Sequence, residues 1–147
     1  IIGGAVRGIL NGILVLLLAY LITGLHIENW FLTLVYLSVV AWAFAGAGVI
    51  VGIYAKSWDS IMVLTNFFLM PLTFLGGVFY SIEMLPDFWR NISMVNPLYW
   101  MINGLRYATL GIAETSHELS LGISILCAIF FSTLASFMFS KGYRIKT

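Results

Sequence analysis

Four long apolar runs, separated by short polar breaks, set the plan of this chain. They fall at residues 8–25, 30–54, 61–80 and 119–139. Each approaches or exceeds the roughly 20 residues that a helix needs to cross a hydrocarbon core of about 30 Å. In lipid a spanning segment must satisfy its own backbone, and runs this long and continuous predict helices. The break His26-Ile27-Glu28-Asn29 is short enough to force the first two spans into an antiparallel pair, and residues 55–60 do the same for the next two.

Residues 81–118 follow a different pattern, alternating apolar anchors with charges and interrupted by two prolines. That punctuation predicts two short helices forming a hairpin that dips into the outer leaflet without crossing it. Pro86 suits the first turn of one. Asn96 followed by Pro97 is a cap plus first-turn proline for the other, which should end near Gly111. Thr115-Ser116-His117-Glu118 has the spacing of a capping box opening the last span. Pro71, inside the third run, removes one backbone hydrogen bond and predicts a kink or an unwound turn. The fold expected is therefore an all-α membrane protein, with four transmembrane helices and a re-entrant or interfacial helical hairpin before the last. No repeat, low-complexity segment or second domain is visible, so residues 1–147 read as a single transmembrane domain. The chain starts at Ile1 with no initiator methionine and no charged leader, the pattern expected of the C-terminal part of a longer protein.

Composition agrees with the pattern. Hydrophobic residues make up 61% of the 147 and charged residues 9%, too few for the charged shell of a soluble domain. The net charge of +1 comes with no basic stripe, which argues against nucleic-acid binding. The single cysteine, Cys127, lies in an apolar run and rules out an internal disulfide or a cysteine metal cluster. His117-Glu118 begins an HExxH pattern, but its fifth residue is Leu121, so no zinc pair forms there. Neither a GxxxxGK[ST] phosphate loop nor a GxSxG elbow occurs, so nucleotide hydrolysis and hydrolase chemistry are not encoded here. No catalytic or metal residues are expected. His26 reads as a solvated side chain, and Asn91-Ile92-Ser93 is a short sequon match.

The basic residues orient the chain. A cytoplasmic C-terminus places Arg7, Lys56, Lys141, Arg144 and Lys146 inside and only Arg90 and Arg106 outside, as the positive-inside rule favours. Glu28, Glu83, Asp87, Glu114 and Glu118 then face outward and Asp59 inward. Trp30, Tyr54, Trp58, Tyr80, Trp89 and Trp100 fall near span ends, where amphipathic rings prefer the interface. Gly4, Gly8 and Gly12 recur every four residues, and Ala41, Ala45, Gly48 and Gly52 every three or four, so each set lines one helix face. Such faces permit close approach, either as static packing within one bundle or as a moving or subunit-forming contact. Ser57-Trp58-Asp59 in the inner loop reads as a helix cap or as a contact for a cytoplasmic ATPase.

The segment LMPLTFLGGVFYSIEMLPDFWRNISMVNPLYWMINGLR, residues 69–106, orders a Gly76-Gly77 pair, Leu85-Pro86, Asn96-Pro97-Leu98 and then Arg106. This set resembles the signature region of permease subunits of the type-2 ABC transporter family, which export drugs, lipids and glycans. Trp100 departs from the pattern, which has a small, basic or tyrosine side chain there. The resemblance implies a bacterial inner-membrane permease whose last four of six spans are present, working as a dimer with a second permease copy and with separate ATPase subunits that carry ATP and Mg. It implies an exit region shaped by Gly76, Gly77, Glu83, Pro86, Pro97 and Arg106. It also places the coupling helix that meets the ATPase before Ile1. Two readings of the charges follow: Glu83 and Arg106 gate the exit as an ion pair, or Arg106 ties down the short helices through nearby carbonyls and acids while Glu83 sits among headgroups. Rival classes are a secondary transporter or channel half with an ion site near Pro71, and a structural assembly subunit. The first would need paired ionisable groups within the spans, and the four runs contain none.

Overall fold

The computed structural model describes residues 1–142, so Arg144 and Lys146 lie outside the described residues. Helices α1 (Ile2–Thr23), α2 (Trp30–Tyr54), α3 (Trp58–Leu75) and α6 (His117–Ser140) are long and apolar enough to cross a membrane. Between the last two lie α4 (Asp87–Val95) and α5 (Pro97–Leu110), preceded by a 3₁₀ turn at Ile82–Met84. Among the described residues no strand occurs, and the all-helical architecture expected from the apolar runs is present.

The ends of the spans obey local chemistry more closely than hydropathy does. The first begins at Ile2 rather than residue 8, because inside a membrane the backbone of Gly3 and Gly4 is best paired within a helix. Arg7 consequently belongs to α1, exposed near its start. That helix stops at Thr23, where Gly24 turns left-handed at φ 65° and donates its N–H to Tyr20 O. α2 matches its run, with the Asn29 side chain accepting from Leu32 N at 3.0 Å. Ser57 caps α3 locally, its Oγ accepting from Ser60 N.

α3 ends at Leu75, five residues short of the run read from sequence, because Gly76 and Gly77 break it and Gly77 takes φ 79°. Before Pro71 the expected disturbance takes the form of a π turn at Thr65–Leu69, with Met70 N–H reaching Thr65 O, which gives the Pro71 ring room against the carbonyl before it. Two other details differ from expectation. Pro86 precedes α4 as an extended cap residue at ψ 152° instead of entering its first turn. The capping box does not form: α6 starts one residue later, capped by Ser116 with no side-chain hydrogen bond, because Thr115 Oγ1 is engaged by Asn103 Nδ2 at 2.9 Å.

α2 is the central helix, packed against α1, α5 and α6. Its contact with α1 is made by small residues: a Cβ at Gly4 would lie 3.2 Å from Ala45 Cβ, and one at Gly8 3.0 Å from Ala41 Cβ. Gly12 faces Leu37 in the same way. The predicted stripe on α2 therefore splits. Ala41 and Ala45 pack on α1, whereas Gly48 and Gly52 have no atom within 4 Å of an added Cβ and border an apolar crevice of about 380 Å³ between α2 and α3. α3 is the loosest span, with none of its residues buried.

Ala43 of α2, Met101 of α5 and Ala128 of α6 form the buried core, flanked by Leu98 and Phe131. Ala43 and Ala128 are mid-helix residues, so the start of α5 sits halfway down the spans. Its other end is level with the α1–α2 loop, where Glu28 N and Asn29 N donate to Thr109 O and Ala108 O. The pair α4–α5 is therefore a hairpin that enters to mid-depth and returns, as the proline punctuation predicts.

Candidate functional site

The hairpin brings polar groups from four separate segments to one place, at the end of the bundle that carries the α1–α2 loop. Their positioning starts with Asn96 at the tip. Its Oδ1 accepts from Leu98 N at 3.0 Å, capping α5, while its Nδ2 donates to Leu72 O at 2.7 Å. Leu72 sits in the last turn of α3, and its carbonyl loses its usual helical donor because Gly76 N turns to Thr73 O instead. One buried amide thus closes two helix ends that lipid could not satisfy. Pro97 at the first helical position contributes the right φ and no orphan donor. Trp100 Nε1 donates to Met94 O at 2.8 Å, so the residue that departs from the family pattern ties α5 back onto α4.

One turn and a half further along α5, Arg106 reaches the glycine break. Its Nη2 donates to Gly77 O at 2.5 Å, and its Nη1 stands 3.5 Å from Glu114 Oε1. The two side chains are 23% and 12% exposed, so both charges are largely removed from water. Ordinary water-filled screening does not apply there, and each charge depends on the other and on backbone dipoles. Gly76 is buried against Ile102, and a Cβ on it would meet Ile102 Cδ1 at 2.8 Å, so the approach of α5 to the break requires glycine.

Glu114 is the hub of the cluster. Its Oε2 accepts from Ile82 N at 3.4 Å and lies 3.5 Å from Tyr99 Oη, and its own N–H donates to Asn103 Oδ1 at 3.0 Å. Burial raises the pKa of Tyr99; a hydrogen bond with Thr115 opposes this shift and the Glu114 carboxylate adds to it. The phenol therefore stays protonated and available as a donor. Asn103 Nδ2 continues the chain to Ser120 Oγ at 2.9 Å on α6. Tyr36 of α2 closes the far side by donating to His117 O at 2.5 Å, passing over Gly104, where any Cβ would collide with its ring.

The arrangement distributes the sequence-predicted residues unevenly. Gly76, Gly77 and Arg106 meet at one point, and Pro97 stands at the hairpin tip below them. Glu83 does not join them: it is exposed on the 3₁₀ turn, and its carbonyl accepts from Arg90 Nη2 at 3.1 Å. The partner acid of Arg106 is Glu114, so a Glu83–Arg106 ion pair is corrected by the structure. Pro86 is exposed at the entrance of α4, away from the clasp. Glu114, Tyr99, Asn103, Ser120 and Tyr36 belong to the cluster although no motif in the sequence marks them. The available signal was physical: polar side chains within apolar helices must find partners, and Asn103 and Ser120 are such residues.

This geometry can be set beside known proteins. Residues 1–110 match the family model described as ABC-2 type transporter. The chain belongs to the ABC-2 type transporter family. It is 34% identical over 145 residues to the inner membrane transport permease YadH of Escherichia coli K12, covering 99% of this chain and 57% of that protein. Nodulation protein J of Sinorhizobium fredii is 31% identical over 91 residues, 62% of this chain and 34% of that protein. The chain thus spans little more than half the length of YadH. No solved structure matches. Within the ABC-2 match lie the hairpin, the glycine break and Arg106, whereas Glu114 and α6 fall beyond it.

Proposed function

We propose that this chain is the membrane-spanning permease subunit of an ATP-driven ABC exporter that moves a hydrophobic or amphipathic substrate, a drug, lipid or glycan, out of the cytoplasm. The observation that carries this reading is the clasp of Arg106, Gly77 and Glu114 at the outer end of a broken span, in a chain of the ABC-2 family. Such a clasp ties the hairpin to the end of α3 while the rest of α3 is loosely packed, so a movement of that remainder can open a path without unfolding the cap. In this reading the chain pairs with a second permease copy, most simply as a homodimer. Separate ATPase subunits bind ATP and Mg, and the protein resides in the bacterial inner membrane with its C-terminus in the cytoplasm. The relative YadH, named an inner membrane transport permease, supports the location and the class.

The test is reconstitution of the permease with a candidate ABC ATPase subunit. Labelled lipid, drug and glycan substrates are offered to vesicles with ATP on the cytoplasmic side. ATP-dependent movement of one class supports the proposal. Movement driven by an ion gradient without ATPase would favour a secondary transporter instead, and no movement with intact assembly of a larger complex would favour a structural subunit.

A further inference from the structure

On the face of α5 away from the clasp, a recess of about 530 Å³ opens at the outer end of the bundle, bordered by Glu28, Asn29, Leu32, Tyr107, Gly111 and His117. It is built rather than incidental. The α1–α2 loop is held against the end of α5 by the two backbone bonds from Glu28 N and Asn29 N. Gly111, at φ 72°, keeps the space beside Glu28 clear, since a Cβ there would lie 3.1 Å from Glu28 Cγ. Tyr107 and His117 stack with ring centroids 4.3 Å apart and planes within 11°.

The polar groups of this recess have work left undone. Asn29 spends its Oδ1 on the α2 cap and keeps its Nδ2 donors. Among the described residues, the Glu28 carboxylate, the Tyr107 hydroxyl and the His117 ring nitrogens make no hydrogen bond to another residue. Arg106, next to Tyr107 in sequence, is turned to Gly77 and Glu114 and does not neutralise Glu28.

We infer that this recess binds an organic ammonium group, with the Glu28 carboxylate as its counter-ion and the Tyr107–His117 aromatic pair as its wall. A single carboxylate with one amide suits an ammonium better than a divalent metal, which calls for several oxygen ligands, and aromatic walls attract cations. Two sources carry this chemistry at such a depth: the ethanolamine headgroup of a membrane phospholipid, whose phosphate would meet the Asn29 amide, and a free amine.

The experiment uses the purified full-length permease in detergent without nucleotide, so its failure is distinct from failure of the transport reading. Binding of glycerophosphoethanolamine, ethanolamine and glycerophosphoglycerol is measured by titration calorimetry on the native chain and on Glu28→Gln and Tyr107→Phe. Glu28 is exposed, so its substitution leaves the fold intact, and thermal melting verifies this. The expected result is saturable binding weakened roughly tenfold or more by Glu28→Gln, as loss of a charge-assisted contact requires. Binding of glycerophosphoethanolamine alone assigns the lipid headgroup, and equal binding of ethanolamine assigns a free amine. Overturning results are equal binding of glycerophosphoglycerol, no binding of either amine, or amine binding that Glu28→Gln leaves unchanged while both variants melt like the native chain.

Discussion

Arg106 joins the hairpin to both the glycine break and Glu114. Removing it as Arg106→Leu strands the Glu114 carboxylate in a site only 12% exposed and frees Gly77 O. Under the proposed function, export measured in vesicles with a partner ATPase should fall at least tenfold while membrane insertion persists. Arg106→Lys should restore part of it, since lysine keeps the charge but loses the planar fork that serves a carbonyl and a carboxylate together. A double-mutant cycle separates the two acids considered for it. Arg106→Leu with Glu114→Gln should be non-additive by about 0.5 to 3 kcal/mol, whereas the cycle with Glu83→Gln should close to within about 0.5 kcal/mol. Coupling to Glu83 and none to Glu114 would contradict the geometry. That pairing was not legible in the sequence, because Glu83 and Glu114 are both acids flanking α5 and linear spacing does not say which one folds back onto it.

At the scale of elements, the small-residue stripe separates into a packing half and an open half. Gly8 touches Ala41 at a distance that leaves no room for a longer side chain, so Gly8→Leu should push α1 from α2 and cost about 1 to 3 kcal/mol or more of stability. A Cβ at Gly48 meets open space, so Gly48→Leu should leave the melting temperature nearly unchanged, within about 0.5 kcal/mol. Thermal melting in detergent compares the two; equal losses would mean that α3 closes on α2 more tightly than the structure shows. The periodicity of the stripe was readable, but which turns face α1 and which face α3 depends on how far around α2 each neighbour sits. The π turn at Thr65–Leu69 shares this character: Pro71 announced a disturbance in α3, and its form, a widened turn just before the proline, appears only in the structure.

For the whole molecule, the hairpin end and the loop between α1 and α2 lie on one side, and Lys56 and Lys141 on the other. If the basic-residue bias orients the chain, Cys substituted at Glu28 and Glu118 in a Cys127→Ala background should react with an impermeant maleimide in intact cells. Cys at Lys56 should react only after permeabilisation. The reverse pattern would invert the topology. Glu118 is the better outer probe than Glu114, which the clasp shields.

The sequence by itself determined the number of spans, the hairpin between the third and fourth of them, and the caps that open and close its second helix. Those features are local: run length sets crossing, and Gly24, Gly77, Asn96, Pro97 and Gly111 dictate backbone angles or caps within one turn of themselves. The tertiary structure alone decided that Glu114 partners Arg106, that Asn96 serves Leu72 O as well as its own helix, and that Tyr36, Asn103 and Ser120 complete the cluster. In an apolar medium every polar group seeks some partner, but which one it reaches is fixed by the approach of helices distant in sequence, and no spacing along the chain encodes that distance.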